Sequence, residues 1–101
     1  MAYKVLIADT AKSSLDRALH YISDVLSSPA AASKLLVSYL SFLDKVADMP
    51  FSYPKCRDHD LSKRGIRKAL LDGYVALYAI EEKAVMVIGF FHQKQDYARL
   101  V

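Results

Sequence analysis

Ile66-Arg67-Lys68-Ala69-Leu70-Leu71-Asp72-Gly73-Tyr74-Val75-Ala76-Leu77-Tyr78-Ala79-Ile80-Glu81-Glu82-Lys83-Ala84-Val85-Met86-Val87-Ile88-Gly89-Phe90-Phe91 is the stretch that decides the fold. It reads as three short strands separated by two tight polar turns. Asp72-Gly73 signals a hairpin, because a two-residue turn that follows the strand twist needs positive φ. Glu81-Glu82-Lys83 makes the second turn. On Tyr74–Ile80 the side chains of Tyr74, Ala76, Tyr78 and Ile80 share one face, since successive residues alternate. Ala84–Phe91 carries no polar side chain, which suits a strand buried on both faces in the middle of a sheet. Tyr74–Ile80 occupies one of its flanks, so a further strand is needed on the other.

Tyr3-Lys4-Val5-Leu6-Ile7-Ala8 is the remaining candidate for that flank, which gives the strand order first, fourth, third, second. Asp9 or Thr10 is expected to cap a helix after it. Leu15, Ala18, Leu19, Ile22, Val25 and Leu26 recur at steps of three and four and mark that helix's apolar face. Ser27-Ser28-Pro29 stops it and starts another, with Ser28 as N-cap and Pro29 at the first helical position. Ala32, Leu35, Leu36, Tyr39, Leu43 and Val46 carry the period to about Asp48. So short a connection makes the helices an antiparallel hairpin, and their apolar faces require a sheet beneath. Residues 49–65 hold Pro50, Pro54 and many polar groups with no period, and read as a long loop. The fold class expected is α+β, β-α-α-β-β-β, a helical hairpin on a four-stranded, mainly antiparallel sheet, in a single domain over residues 1–101.

The length of 101 residues suits one domain with one modest core. Cys56 is the only cysteine, so no intrachain disulfide forms, and a cytoplasmic home is expected. Lys4 and Asp9 bracket too short an apolar run for a signal peptide. No stretch approaches the roughly 20 apolar residues of a membrane span. The net charge is +3, and its placement says more than its size. Lys55, Arg57, Lys63, Arg64, Arg67 and Lys68, offset by Asp58 and Asp60, put the positive excess into residues 55–68. A local patch of this kind favours an anionic partner, nucleic acid or an acidic protein surface.

Three motifs, in order along the chain, resemble the RelE/ParE toxin superfamily. Tyr3-Lys4-Val5-Leu6-Ile7 leading into Ala11 and Leu15 is similar to its opening strand and helix. Ile66-Arg67-Lys68 followed by Gly73-Tyr74-Val75-Ala76-Leu77-Tyr78 is similar to its basic pair and tyrosine-bearing meander. His92-Gln93-Lys94-Gln95-Asp96-Tyr97-Ala98-Arg99-Leu100 is similar to its closing segment. The resemblance covers nearly the whole chain outside 49–65. It implies the toxin of a bacterial type II toxin–antitoxin system, held inactive by a cognate antitoxin protein. It implies one of two activities, with no cofactor and no membrane partner: cleavage of mRNA on the ribosome, the expected one because His92 and the basic loop would otherwise be idle, or, as the alternative, inhibition of DNA gyrase.

Metal-independent RNA cleavage needs a base for the 2′-hydroxyl, cations for the charged phosphorane and an acid for the leaving oxygen. His92 is the acid–base candidate, with an ordinary imidazole suited to proton transfer near neutrality. Tyr97 could donate a proton or stack on a base. Arg67 is chosen over its neighbour Lys68 as the phosphate contact, because guanidinium binds phosphate with two parallel hydrogen bonds and adjacent strand residues face opposite ways. Lys55, Arg57, Lys63, Arg64, Lys68, Lys94 and Arg99 are the candidate nucleic-acid contacts. His59 with Asp58 and Asp60 forms a second polar cluster, and His20 reads as structural. The three histidines lack metal-ligand spacing. Val75 and Gln93 stand where RelE-like relatives carry arginines, a departure that weakens the nuclease reading and leaves the gyrase reading untouched. The Ile66–Leu71 strand lies at a sheet edge and is the expected place for antitoxin strand addition; a helix across the hairpin is the alternative.

Overall fold

The computed structural model describes residues 2–101. Its elements run β1 (Lys4–Ile7), α1 (Asp9–His20), α2 (Pro29–Asp48), α3 (His59–Lys63), β2 (Arg67–Leu71), β3 (Tyr74–Glu81) and β4 (Ala84–His92), with a 3-10 turn at Tyr97–Arg99. The sheet order is β1-β4-β3-β2, with β1 parallel to β4 and the other pairs antiparallel. The order read from the continuous apolar run of β4 is therefore the observed one. Asp72 and Gly73 both have positive φ, 52° and 87°, as the hairpin turn requires.

The helices depart from a uniform 3.6-residue period in one place. After α1, residues Tyr21–Val25 form a widened π turn in which the Leu26 N–H donates to the Tyr21 carbonyl at 3.0 Å. The extra residue per turn rotates the following side chains away from the sheet. Ile22 stays buried, but Val25 and Leu26 are turned outward, against the expected apolar face. The start of α1 also differs. Ala8 is the N-cap, with no side-chain cap, and its N–H is spent on the Val87 carbonyl at 2.9 Å. Asp9 instead sits in the first turn, where its charge favours the positive helix end. Ser28 caps α2 as expected, accepting from the Ala31 N–H at 3.3 Å, with Pro29 at the first helical position.

The sheet has two packed faces. On one, the helices bury Leu35, Tyr39, Phe42 and Val46 against Ala76, Tyr78, Val85, Val87 and Phe90. Phe42, absent from the periodic set, is among the most buried residues of α2. On the other face a smaller core gathers Cys56, Leu61, Ile66, Val75 and Leu77, with Ile88, Phe91 and Tyr97 against it. The segment expected as an open loop thus contributes α3 and the floor of this second core. A bulge resets which residues of this apolar strand meet each face. Leu77 pairs with Gly89 but Tyr78 with Val87, so Ile88 is an extra residue in β4. Past it the alternation shifts, sending Phe90 to the helices and Phe91 to the second core.

Two buried tyrosines in the main core differ in their hydroxyls. Tyr78 donates to the Pro50 carbonyl at 2.7 Å, whereas the Tyr39 hydroxyl has no partner among the described residues. Burial pushes both phenols' pKa up. Tyr78→Phe is expected to destabilise by about 1 kcal/mol, and Tyr39→Phe to be neutral or stabilising, because only the first loses a hydrogen bond. Urea denaturation of both variants checks this; equal losses would contradict it.

Candidate functional site

His92 closes β4 and lines a groove of about 790 Å³ between α1 and the end of the sheet. Its Nδ1 accepts from the Lys94 N–H at 3.2 Å. Its backbone N–H donates to Gln95 Oε1 at 2.9 Å. The ring stands edge-on to Tyr74 at 5.2 Å, and Tyr74 in turn stacks flat on Phe90. Across the groove, α1 presents Thr10, Ser14 and Arg17, and the π turn that follows adds Tyr21. Leu100 and Val101 of the tail form the remaining wall. Arg17, Ser14 and Tyr21 were not legible as site residues. Their only sequence signal is a polar stripe on α1 beside the apolar one.

Arg67 lies elsewhere. It pairs with Tyr78 in the β2–β3 register, whereas His92 pairs with Tyr74. The four-residue offset places them roughly 13 Å apart along the strands, at ~3.3 Å per residue, with β3 in between. The Arg67 guanidinium donates to the Tyr53 carbonyl at 2.6 Å and lies over the Phe51 ring at 5.1 Å. Tyr97 stacks on Phe91 at 6.1 Å with rings 16° apart, inside the second core. Its phenol pKa is raised by burial first, and then by Cys56 and Asp58. Of the three residues, Arg67 and His92 lie at opposite ends of the strands, and Tyr97 packs against the second core.

The basic segment is arranged around the outer edge of β2. Lys55 bridges to Arg67 in antiparallel fashion, the Cys56 N–H donates to the Ile66 carbonyl at 3.0 Å, and the Lys68 N–H donates to the Pro54 carbonyl at 3.0 Å. Pro54–Cys56 therefore covers the first half of the edge that the sequence left open for an antitoxin strand. Lys55, Arg57, Lys63 and Arg64 are exposed. Arg64 is 3.7 Å from Asp60 and donates to the Val101 carbonyl at 3.3 Å. Lys68 is half-buried on the face opposite Arg67, near Cys56. Lys94 and Arg99 are exposed on the tail, and Arg99 pairs with Asp96 at 3.0 Å. Asp58 caps α3 by accepting from the Leu61 N–H at 3.0 Å, which gives the His59 cluster a structural use. His20 is exposed and 3.6 Å from Asp24. Among the described residues no cluster of three or more His, Cys, Asp or Glu is placed to hold a metal. Among the described residues no helix is long and apolar enough to cross a membrane.

Cys56 is 4% exposed, and its thiol is pushed up chiefly by burial, with Lys68 opposing and Asp58 adding to the shift. A thiol that resists ionisation is a poor nucleophile. In the folded protein Cys56 is expected to be inert to an aromatic disulfide reagent at neutral pH and to react at the rate of unfolding. Rapid modification of the native chain would contradict this.

A helical hairpin over a β1-β4-β3-β2 sheet, with a meander ending in a His-bearing tail, is the arrangement that the resemblance to RelE/ParE toxins implied. Residues 5–97 match the model of the ParE toxin of type II toxin–antitoxin system, parDE, and the chain belongs to that family. Its fold is similar to that of a solved chain from the chromosomal ParDE TA system of P. aeruginosa. The two share 16% identity at a TM-score of 0.70, over 90% of this chain and 96% of the other. No curated protein matches the sequence significantly.

Proposed function

We propose that this toxin arrests growth by binding DNA gyrase in the cytoplasm, with no catalysis of its own, and that a cognate antitoxin holds it inactive. The observation that carries the reading is Val75. It stands where RelE-like relatives present an arginine, it is 1% exposed, and it packs in the second core with Leu61 and Leu77. A cation at that register position would have to be buried without a counter-charge, which costs several kcal/mol. The separation of Arg67 from His92 along the strands supports the same reading. Cleavage at a 2′-hydroxyl needs its acid, base and phosphate cations around one phosphorus atom. Arg67 is already committed to the Tyr53 carbonyl.

A binding toxin needs a surface rather than a reactive constellation. The exposed cations Lys55, Arg57 and Lys63 supply a positive field for approach to an acidic or DNA-laden target. The test is growth after induction. His92→Ala is expected to arrest cells as the parent chain does, with message intact at the ribosomal A site. Loss of arrest in His92→Ala, with A-site cuts made by the parent, would overturn the proposal in favour of ribosome-dependent mRNA cleavage.

A further inference from the structure

Just past the end of α2, an aromatic ring is held in place without being buried. The Met49 N–H donates to the Lys45 carbonyl at 2.7 Å, and the Ser52 N–H and hydroxyl both donate to the Met49 carbonyl, at 3.2 and 2.8 Å, so Met49–Ser52 forms a hydrogen-bonded turn. The turn is pinned from inside, where the buried Tyr78 hydroxyl donates to the Pro50 carbonyl at 2.7 Å. Pro50 is buried, while Met49 and Phe51 on either side of it are 54% and 63% exposed. Phe51 is ordered from outside as well. The Arg67 guanidinium lies over its ring at 5.1 Å and is itself tied to the Tyr53 carbonyl. Single exposed apolar residues are ordinary on a protein surface. Two on one pinned turn, the larger one fixed by a guanidinium, make a preorganised anchor that loses little freedom on binding.

The cations beside this anchor are unpaired. The Lys45 ammonium lies over the Tyr53 ring at 4.8 Å, and Lys55 bridges to Arg67 at the sheet edge. Asp44 and Asp48 share α2 with Lys45, yet among the described residues no carboxylate stands within ion-pair distance of Lys45, Lys55 or Arg67. A partner that pairs with these cations is acidic, and one that covers Met49 and Phe51 is apolar at its centre. Protein surfaces combine the two, since interface cores favour aromatic side chains, Met and Arg. Duplex DNA would satisfy the cations through its phosphates and leave both apolar groups in water. We infer that the Met49–Ser52 turn is where the toxin docks on the gyrase protein, with Phe51 and Met49 entering an apolar hollow and Lys45, Lys55 and Arg67 meeting carboxylates around it. The turn lies at the Tyr78 end of the sheet, whereas His92 pairs with Tyr74, so docking there makes no use of His92.

The inference rests on the gyrase reading, and its test separates the two. Supercoiling by purified gyrase is titrated with the full-length chain and its variants. Phe51→Ser and Lys55→Glu are each expected to raise the concentration for half-inhibition by about tenfold or more, as loss of an anchor or reversal of a complementary charge would. Met49→Ser, in the same turn, is expected to weaken inhibition in the same direction. All three side chains are exposed, so the urea midpoints should stay near the parent's. Lys12→Glu on α1 and Leu26→Ser after the π turn make matching changes at other exposed positions and are expected to inhibit as the parent does. A parent chain that inhibits gyrase while Phe51→Ser and Lys55→Glu inhibit equally well overturns the inference and leaves the gyrase reading standing. Binding of the parent to DNA without gyrase, abolished in Phe51→Ser, also overturns it, because nucleic acid would then occupy the face. A parent chain without effect on supercoiling overturns both.

Discussion

Phe42→Ala is expected to destabilise the protein by about 3–5 kcal/mol, the range for emptying a fully enclosed aromatic site. Phe42 is 1% exposed and sits where α2 meets the sheet. Its ring lies 6.1 Å from Tyr39, 5.7 Å from Tyr53 and 5.7 Å from Tyr78. These neighbours are held from three directions. Tyr39 stands edge-on to Phe90, Tyr53 is overlaid by the Lys45 ammonium, and Tyr78 is tied to Pro50. None can move into the vacated space without breaking a contact of its own, so the cavity persists. A domain of this size holds only ~5–15 kcal/mol in total, and the variant should be close to unfolded at growth temperature unless the antitoxin is bound. Chemical denaturation of the free chain reads the loss directly; a cost below about 1 kcal/mol would mean the core repacks freely.

Gly89→Ala is the second large effect, and its cause is steric. The glycine's φ is not in the left-handed region, so an alanine is allowed by the backbone. A Cβ there would stand 2.5 Å from Phe91 Cε2 and 3.1 Å from Cζ. The Phe91 ring must move, but Tyr97 is stacked against it and belongs to the same core. Displacing the ring therefore loosens the tail over Tyr97–Val101 as well. An insertion of this kind costs ~1–3 kcal/mol, with protease sensitivity appearing in the tail. Phe91→Leu in the same chain should recover part of the loss, giving a coupling of opposite sign to the single effects. Unchanged stability and an unchanged tail in Gly89→Ala would contradict the packing described for the second core.

The sheet order was legible because one strand, Ala84–Phe91, has no polar face to give to solvent, and only a central position hides both sides. The Asp72-Gly73 turn was legible because few residue pairs tolerate two positive φ angles. The bulge at Ile88 was not, since in an all-apolar run a one-residue slip changes no hydropathy pattern. The π turn at Tyr21–Val25 was equally hidden. It sends Val25 and Leu26 outward although their spacing from Ile22 is helical. Residues 49–65 showed no period because they serve three short-range uses: an added edge at Pro54–Cys56, a capped turn of helix, and the floor of the second core.

Less of the candidate site was legible. Residue type pointed to His92, Tyr97 and Arg67, and each is a reasonable participant in phosphate chemistry taken alone. The separation of Arg67 from His92 follows from hairpin arithmetic. With a turn at Asp72-Gly73, Arg67 must lie opposite Tyr78, whereas the strand that ends at His92 returns to Tyr74. An antiparallel meander places the start of one strand beside the end of the next, so residues that frame the same motif in sequence fall at opposite ends of the sheet. The groove walls on α1 could not be read at all, because Thr10, Ser14 and Arg17 are ordinary residues for a solvated helix face.

The measurement that bears most directly on the toxin's mode of action is DNA supercoiling by purified gyrase in the presence of the purified full-length chain. The account predicts that supercoiling is lost as the toxin reaches stoichiometric excess, that His92→Ala inhibits equally well, and that added antitoxin restores the activity. Undiminished supercoiling at high excess, in a preparation that cuts message on ribosomes and loses that ability in His92→Ala, would contradict it.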